Sequence, residues 1–566
     1  MRPLRILFCT EATYLKTGYA TYYREVISRL FSTGKYSIAE LASYGDENSQ
    51  EAKSVPWLFF GNLPNKKNKQ EREAYDSKMT HQFGEWRFEE VCLMFQPDVV
   101  VDIRDFWMLE FQDRSPFRDF YKWVIMPTVD ATPQNEQWID TYAKADAVFN
   151  YSDWGVDILK KESNNRINCL GCAPPSADSA YEPCEDKTEH KESFGIDGDM
   201  KIIGTVMRNQ KRKMFPDLFQ MFREFLDTSK RDDVYLYCHT SFPDLGWDIP
   251  KLLLKYGLSS KVLFTYVCES CKHAFPAFFS DAKRRCTKCK GDAFLSNVHN
   301  GVSNEYLSDI VNCFDVYLQY ANSEGFGLPQ VEAAACGVPV MSIDYSAMSS
   351  VVRKLGGTPL KVKHLSKEME TGCLRAVPDN TYAAKKLKDF FEKDQSEIKM
   401  QEKLTRENFL KYYQWDDTAS KWEEYFDQVN IMDELTTWKS EPRIHQPSQE
   451  VPRGLSDKEY AEWLIINVLG DPSKLNTHMQ SRLVRDLSYG IYVEGAGDLY
   501  FNEDSHRMVK PDFQVFDRQV AYDMMASLCE LRNKWEMISK VVFNIIYKEK
   551  PSLRRVFFIL KKTILL

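Results

Sequence analysis

The chain has 566 residues, which is too long for a single hydrophobic core and corresponds to about three or four domains. Its content of 43% hydrophobic and 28% charged residues excludes an intrinsically disordered protein. A formal net charge of -8 argues against nucleic-acid binding along the whole chain, although it allows local basic patches.

The ends and the apolar runs of the chain bear on its location. The longest apolar runs fall short of the ~20 residues that a membrane-spanning helix needs. The opening MRPLRILFCTE has only a short apolar run, which does not favour a secretory signal. We therefore expect a cytoplasmic protein whose 14 cysteines are reduced. In such a protein, paired Cys-x-x-Cys motifs predict metal sites before disulfides.

Strands and helices alternate along the first part of the chain, as a parallel sheet with crossover helices requires. Short apolar runs predict the buried strands of a first unit. The predicted strands are Leu4–Cys9, Asp98–Ile103, Val124–Met126 and Ala147–Tyr151, and the predicted helices are Tyr22–Leu30 and a segment around Trp138–Ala145. We assign residues 1–195 to this unit, which ends in a linker near Pro174–Ser193.

The same alternation begins again near Lys201. The predicted strands are Lys201–Met207, Val234–Cys238, Val262–Tyr266 and Val316–Tyr320, and the predicted helices are Pro216–Leu226 and Ile249–Tyr256. We assign residues 196–430 to this second unit. Prolines among polar residues predict a linker over 431–453. Residues 454–566 have a mainly helical pattern, which predicts an accessory region.

One stretch of the second unit carries the clearest functional signal: SEGFGLPQVEAAACGVPV, residues 323–340, which follows a predicted strand. Gly325 and Gly327 let backbone N–H groups approach a ligand, and the N-terminus of the helix after them suits an anion. Glu324 and Glu332 can accept strong hydrogen bonds from sugar hydroxyls. The alternative is an ordinary strand-to-helix turn whose glycines serve geometry alone.

The complete pattern, E-G-F-G-L-P-x-x-E-A-x-A-x-G-x-P-V, resembles the donor-site signature of the retaining glycosyltransferases of family 4, which have the GT-B fold. The resemblance implies an α/β protein with two Rossmann-like domains that face each other across a cleft. It also implies that Glu324 contacts the donor sugar and Glu332 the nucleotide ribose. The backbone of the turn between them would face the sugar and the diphosphate, at Gly325, Phe326, Gly327 and Leu328.

A cationic clamp for the diphosphate is the second element that such an enzyme requires, and GTVMRNQKRKMF supplies one after the first strand of the second unit. Arg208 and Lys213 match the Arg and Lys of the family, while Met214 stands where glycine is usual. Lys211 and Arg212 are alternatives to Lys213, and a solvated basic turn is the non-functional alternative. Because two cations would stabilise the leaving group, we expect no catalytic metal.

The resemblance is thinner in the first unit. Thr17-Gly18-Tyr19 resembles the glycine loop of the family, where Gly18 would approach the diphosphate or the acceptor. Asp130 would point toward the cleft and orient the acceptor hydroxyl, although an aspartate that only caps a loop is an equal alternative. Asp197-Gly198-Asp199 has DxD spacing, but its place in the predicted linker favours a turn rather than a cation site.

The function that the resemblance implies is transfer of a sugar from a nucleotide-diphosphate sugar with retention, in which the departing phosphate takes the proton of the acceptor. Consistent with it, we find no carboxylate pair with the roles of acid and nucleophile. The acceptor stays open among a glycan, a lipid and a protein. The alternatives are a GT-B nucleotide-sugar epimerase and a nucleic-acid-binding protein with a degenerate transferase core. The chain has all four clamp and donor-site residues, Arg208, Lys213, Glu324 and Glu332, which makes nucleic-acid binding the weaker hypothesis.

Two Cys-x-x-Cys motifs interrupt the second unit, within an insertion at residues 266–292. Their spacing predicts a structural Zn²⁺ held by four thiolates in a zinc knuckle, with two disulfides or four free thiols as alternatives. The predicted ligands are Cys268, Cys271, Cys286 and Cys289. Family members have a short loop at this place that touches the nucleotide base, so we expect the insertion to form one rim of the base pocket.

The end of the chain combines charge with apolar residues. Residues 532–566 contain nine Lys or Arg residues and two Glu residues, interleaved with apolar pairs and triplets. Such a segment suits peripheral contact with an anionic membrane, where each basic residue contributes ~1 kcal/mol. A helix packed on the protein or on a second subunit is an equal alternative.

Overall fold

The computed structural model describes residues 3–115, 117–279, 283–297 and 300–431, together with Trp438, Ser456, Glu459, Trp463 and four short strands between residues 491 and 515. Two α/β units occupy most of this part of the chain, as predicted. No described helix has the length and apolar character needed to cross a membrane.

The first unit is a parallel sheet flanked by helices. Its strands are β1 (Leu4–Glu11), β2 (Tyr36–Ser43), β3 (Leu58–Gly61), β4 (Val99–Asp102), β5 (Lys122–Ile125), β6 (Ala147–Asn150) and β7 (Cys169–Cys172). Its helices are α1 (Gly18–Ser32), α2 (Gln50–Ser54), α3 (Lys69–Asp76), α4 (Glu85–Phe95), α5 (Phe106–Leu109), α6 (Glu136–Tyr142) and α7 (Asp153–Glu162), with 3-10 turns at Met79–Phe83, Glu110–Gln112 and Arg118–Phe120. The strand order is β3-β2-β1-β4-β5-β6-β7. Alternate residues of β1 enter two separate cores, Ile6 and Phe8 on one face and Leu7 and Cys9 on the other, which explains its continuous apolar run.

The second unit follows a connecting helix, α8 (Lys187–Ser193), which lies inside the predicted linker. Its strands are β8 (Lys201–Val206), β9 (Val234–His239), β10 (Val262–Cys268), β11 (Ala274–Phe278), β12 (Lys283–Arg285), β13 (Asp292–Leu295), β14 (Val316–Gln319), β15 (Val340–Ile343), β16 (Thr358–Leu360), β17 (Val362–Lys367) and β18 (Leu374–Pro378). Its helices are α9 (Phe215–Ser229), α10 (Ile249–Tyr256), α11 (Asn304–Asn312), α12 (Leu328–Ala335), α13 (Ser346–Lys354), α14 (Asn380–Phe391), α15 (Gln395–Tyr412) and α16 (Trp415–Gln428). The sheet runs β12-β13-β10-β9-β8-β14-β15-β16, with β11 paired to the free edge of β10, and β17 and β18 form a separate hairpin.

The cysteine-rich insertion is built into this sheet. The first half of β10 pairs in parallel with β9, and its second half pairs antiparallel with β13. Within the insertion, β12 pairs antiparallel with β13, which ends at Leu295.

Strand order determines where a ligand can bind. The order reverses direction between β1 and β4 in the first sheet and between β8 and β14 in the second. In open parallel sheets, ligands bind outside the carboxyl ends of the strands at such a reversal. The carboxyl ends of the two sheets approach each other, since a Cβ placed on Gly325 after β14 would lie 2.4 Å from Thr128 after β5. The predicted cleft therefore lies between two strand reversals.

Helix α16 returns to the first unit. Although α16 lies within the predicted second unit, its Trp422 packs on Phe149, with ring centroids 4.5 Å apart, and donates a hydrogen bond to the Tyr22 hydroxyl at 3.0 Å. Trp438, inside the predicted linker at 431–453, also packs on the first unit and donates a hydrogen bond to the Pro97 carbonyl at 2.9 Å.

The predicted accessory region, residues 454–566, lies mostly outside the described residues. Its described part includes two antiparallel strand pairs, β19 (Ile491–Val493) with β22 (Phe513–Val515) and β20 (Tyr500–Asn502) with β21 (Arg507–Val509). The basic tail at 532–566 lies wholly outside the described residues.

Candidate functional site

The predicted clamp and the predicted donor-site turn lie side by side because they follow neighbouring strands, β8 and β14. The amine of Lys213 donates to Glu324 Oε1, and Arg212 donates to Glu324 Oε2 at 3.0 Å. Backbone pairing holds the two loops together, since the N–H of Asn322 donates to the Arg212 carbonyl at 2.9 Å and Lys213 bridges to Ala321. The structure thus brings two of the predicted catalytic residues into contact.

The Glu324 carboxylate is held in a largely dry environment. Lys213 and Glu324 are each 7% exposed. Gln319 donates a further hydrogen bond to Glu324 Oε1 at 3.1 Å, and Ser346 accepts one from the Glu324 backbone N–H at 3.0 Å. Burial lowers the pKa of Lys213 and the adjacent Arg212 guanidinium lowers it further, whereas contact with the Glu324 carboxylate favours the charged amine. A diphosphate that enters beside Lys213 would favour the charged amine in the same way.

Arg208 is not brought to Glu324. Its guanidinium binds Asp244 through two hydrogen bonds of 2.8 and 3.1 Å, and its side chain is 47% exposed. This pairing is the main reason that the pKa of Asp244 falls to about 2. Arg212, which the sequence offered only as an alternative, makes the second cationic contact to Glu324.

The turn after Glu324 provides the N-terminus of α12. Gly327 adopts a φ of +86° as the N-cap, which favours glycine, and Gly325 closes on the first unit as described above. The Phe326 side chain is buried and packs on Tyr413 at a centroid distance of 5.9 Å. Leu328 is the first residue of α12, so the contacts that this turn can offer a ligand are its backbone N–H groups.

Glu332 lies one turn further along α12, on the side that faces the linker between the units. Burial raises the pKa of its carboxyl to about 7, with a smaller contribution from the Asp178 carboxylate, and the Tyr181 hydroxyl opposes this shift. Burial raises the pKa of the Tyr181 hydroxyl, and the neighbouring Glu332 carboxylate raises it further. The Glu332 carboxyl and the Tyr181 hydroxyl are therefore polar neighbours on this side of α12.

Gly18 begins α1, directly after β1 at the strand reversal of the first sheet. The Thr17 hydroxyl caps this helix by accepting the Ala20 N–H at 3.1 Å. A Cβ on Gly18 would meet no atom within 4 Å, so packing does not require glycine here and the space beside it is open.

Asp130 lies at the cleft and contacts the other unit. Arg375 of β18 donates to Asp130 Oδ2 at 2.7 Å, and Ser323, next to Glu324, donates to the same oxygen at 3.3 Å. Sequence reasoning missed Arg375, because the side chain reaches the cleft only through the β17–β18 hairpin.

Sequence reasoning also missed the acidic residue Asp105, which follows β4. Burial raises its pKa, and hydrogen bonds from Thr128 and Tyr19 oppose that shift. Tyr19 and Thr128 are themselves hydrogen-bonded at 2.9 Å. A polar residue directly after a predicted strand at the strand reversal was a usable signal for Asp105.

The four predicted metal ligands converge at the ends of two hairpins. The Sγ atoms of Cys268 and Cys289 are 3.4 Å apart, those of Cys271 and Cys286 are 3.7 Å apart, and all four lie within 4.8 Å of one another. None of the cysteines in the described residues forms a disulfide.

The two cysteine turns have the same backbone design. The residue after each second cysteine, Lys272 and Lys290, has a positive φ of 56° and 62°. Its N–H donates to the carbonyl of the first cysteine at 3.1 Å in both turns. Matched turns that aim four thiols at one point are typical of a tetrahedral metal site.

Comparison with known proteins supports the fold. Residues 296–408 match the family model described as glycosyl transferases group 1. A sucrose-phosphate synthase from Thermosynechococcus elongatus is 15% identical, with a TM-score of 0.55 over 75% of this chain and 99% of the other. A glycosyltransferase from Rickettsia africae ESF-5 is 13% identical, with a TM-score of 0.51 over 76% and 100%. Anabaena HepE in complex with UDP and glucose is 11% identical, with a TM-score of 0.51 over 75% and 100%. No curated protein has a significant match to the chain.

These matches confirm the predicted fold. The first unit and the second unit are the two Rossmann-like domains of a GT-B architecture, and the matched segment contains both Glu324 and Glu332.

Proposed function

We propose that this protein, a glycosyltransferase with a group 1 domain on a GT-B fold, transfers a sugar with retention from a nucleotide-diphosphate sugar, without a catalytic metal. The observation that carries the proposal is the contact of Lys213 and Arg212 with Glu324 at the N-terminus of α12. Basic side chains, a carboxylate and free helix N–H groups together suit a ligand that has both a diphosphate and sugar hydroxyls.

Each group has a role in the proposed reaction. Lys213, Arg212 and the N-terminus of α12 would stabilise the charge that develops on the diphosphate as the bond to the sugar breaks. Arg208 would join them by leaving Asp244. Glu324 would accept hydrogen bonds from the sugar, and Asp130 would orient the acceptor hydroxyl. The departing phosphate would take the proton of that hydroxyl on the face where the new bond forms.

UDP-glucose is the first donor to test, because one structure of the same fold contains UDP and glucose. Thermal unfolding in the presence of UDP-, GDP- and ADP-sugars is expected to show one nucleotide that stabilises the chain, by about 2.7 kcal/mol at a hundredfold excess over Kd. Glu324→Ala should lose the extra stabilisation by the sugar but keep that by the nucleotide. Absence of any shift, together with tight salt-dependent binding to DNA, would instead favour the nucleic-acid alternative.

Glu332 gives the proposed donor binding a defined pH dependence. Ribose hydroxyls donate to the carboxylate and so favour its ionised form, whereas burial keeps the pKa of the free site at about 7. Donor binding should therefore release a proton, and affinity should rise up to about 10-fold between pH 6 and pH 8. Titration calorimetry with the intact nucleotide sugar measures this slope, since its diphosphate does not titrate in that range. Glu332→Gln should flatten it; an unchanged slope would refute the ribose role.

We also propose that the four-cysteine cluster binds a structural Zn²⁺. Thiolates at ~2.3 Å from a tetrahedral zinc lie ~3.8 Å apart, close to the observed 3.4 and 3.7 Å. Four protein ligands leave no coordination position for substrate, so the metal would stabilise the ribbon formed by β10–β13.

The base-pocket rim is part of this proposal. It is supported by Ser296, directly after the ribbon, whose hydroxyl donates to Thr240 at the carboxyl end of β9 at 2.9 Å.

The domain limits at 195/196 and 430/431, a cytoplasmic location and membrane contact through residues 532–566 stay proposals. Separation of membrane and soluble fractions, with and without residues 532–566, tests the last two.

A further inference from the structure

A seam of hydrogen bonds joins the β17–β18 hairpin of the second unit to the loop after β5 in the first. The Leu374 N–H donates to the Thr132 carbonyl at 2.8 Å. The Cys373 thiol donates to the Pro133 carbonyl at 3.1 Å. The Tyr345 hydroxyl of the second unit accepts the Thr132 N–H at 3.4 Å and donates to the Leu374 carbonyl at 2.7 Å. The hairpin therefore closes the cleft next to Asp130.

Arg375 lies at the centre of this seam. One guanidinium nitrogen donates to Asp130 Oδ2 at 2.7 Å and to the Ser323 hydroxyl at 2.6 Å, and the other donates to Glu368 at 2.9 Å. Its side chain is 15% exposed, so water competes poorly for these bonds. A single side chain thus connects the carboxylate of the first unit to the residue that precedes Glu324.

We propose that Arg375 is a positioning residue for sugar transfer, which orients Asp130 toward the acceptor only when the two units are closed. The inference rests on the proposed function and adds a residue of this chain to it. The guanidinium is planar and rigid, and Glu368, on the same hairpin, holds one of its nitrogens in place. The other nitrogen therefore meets Asp130 at a position that the second unit determines. When the units separate, Asp130 loses this partner.

Closure of the two units would therefore couple the donor side of the cleft to the acceptor side. Ser323 and Glu324 are consecutive residues, so the same closure that places Asp130 also places the donor-site carboxylate. Chemistry would be confined to the closed state, in which the donor and the acceptor, or the water molecule that replaces it in hydrolysis, are held beside Asp130.

Two other ion pairs serve as matched controls. Lys354 binds Asp153 at 2.5 Å and also joins the two units, but it does not touch Asp130. Arg353 binds Asp344 through two contacts of 2.5 and 2.7 Å entirely within the second unit. Lys354→Met therefore tests closure in general, and Arg353→Met tests loss of an arginine–aspartate pair.

The experiment compares the full chain with Arg375→Met, Arg375→Lys and the two controls. The substrate is the nucleotide sugar that stabilises the chain most in the thermal panel, and the assay measures its hydrolysis. In this reaction water adds to the sugar, the bond between the sugar and the diphosphate breaks, and the sugar and the nucleotide diphosphate are released. Donor affinity is measured separately by calorimetry. Small-angle X-ray scattering of the ligand-free chain reports separation of the units and requires no donor.

Arg375→Met is expected to lower the turnover number about 10- to 100-fold, as loss of a hydrogen bond between charged groups does, with donor affinity within about threefold of the unmodified chain. Arg375→Lys should restore part of the turnover, and both controls should stay within about twofold. The radius of gyration should rise for Arg375→Met.

Three results would each overturn the positioning role. They are unchanged turnover in Arg375→Met, an equal loss of turnover in Lys354→Met, and a loss of donor affinity in Arg375→Met that parallels its loss of turnover. If no nucleotide sugar binds the unmodified chain, the proposed function fails. An unchanged radius of gyration in Arg375→Met would then overturn the closure that this inference requires, and an increase would support it.

Discussion

Replacement of Lys213 by methionine is expected to lower the turnover number of sugar transfer about 100- to 1000-fold. Removal of one well-placed donor to developing charge costs about 2.7–4 kcal/mol in other enzymes. Lys213 contacts Glu324 at a site that is nearly closed to water, where such interactions are strongest. Methionine retains the apolar part of the side chain, and Glu324 keeps Arg212 and Gln319 as partners, so the fold should persist. Steady-state kinetics and thermal unfolding of the same preparation measure both effects.

Neighbouring basic residues provide the comparison. Lys211 is exposed, and Lys211→Met should change turnover by less than about twofold. Arg208→Met should cost about 10-fold, because the proposed clamp must first draw this guanidinium away from Asp244. Equal activity of the Lys213→Met and Lys211→Met variants would remove Lys213 from the mechanism.

Loss of one ligand of the proposed zinc site is expected to have the largest effect on stability. Structural zinc contributes apparent binding free energies on the order of 10 kcal/mol in small domains, and β10, which ends at Cys268, belongs to the sheet of the second unit. Cys271→Ser is the informative variant, because Cys271 is exposed and its replacement costs little packing. We expect one zinc per chain by elemental analysis, none in Cys271→Ser, and a large fall in the unfolding temperature of the second unit.

Cys169→Ser is the matched control, since Cys169 is a partly exposed cysteine of the first unit outside the cluster. The Cys169→Ser variant should keep both its bound zinc and its unfolding temperature. A metal-free protein that is as stable as the zinc-loaded protein would contradict the structural role. If Cys271→Ser stays folded and binds the donor nucleotide with unchanged affinity, the base-pocket rim is wrong.

Local sequence patterns were sufficient to predict the helices and strands whose structure depends on interactions between nearby residues. The helix predicted at Ile249–Tyr256 has those bounds in the structure, because Asp248 caps its start and Gly257 ends it with a φ of +62°. The buried strands were found from their apolar runs. In contrast, β2 was missed, because Glu40 interrupts its apolar run. The Glu40 side chain is buried and accepts a hydrogen bond from the Trp57 indole N–H.

The contact of Lys213 with Glu324 could be anticipated because each follows a strand, and the strands proved to be neighbours at the reversal of the sheet. The four-cysteine cluster could be anticipated because each turn positions its own pair of thiols. Motif spacing determines such local geometry.

By itself, the sequence determined the two α/β units, the alternation of strands and helices in them, the glycine turn before α12 and the pairing of the cysteine turns. The tertiary structure alone decided that Arg208 binds Asp244, that Arg212 reaches Glu324, and that Arg375 meets Asp130 from 245 residues away. These contacts depend on how whole loops and two separate domains are placed relative to one another. Hydrophobic periodicity and turn chemistry act over a few residues and carry no information about that placement.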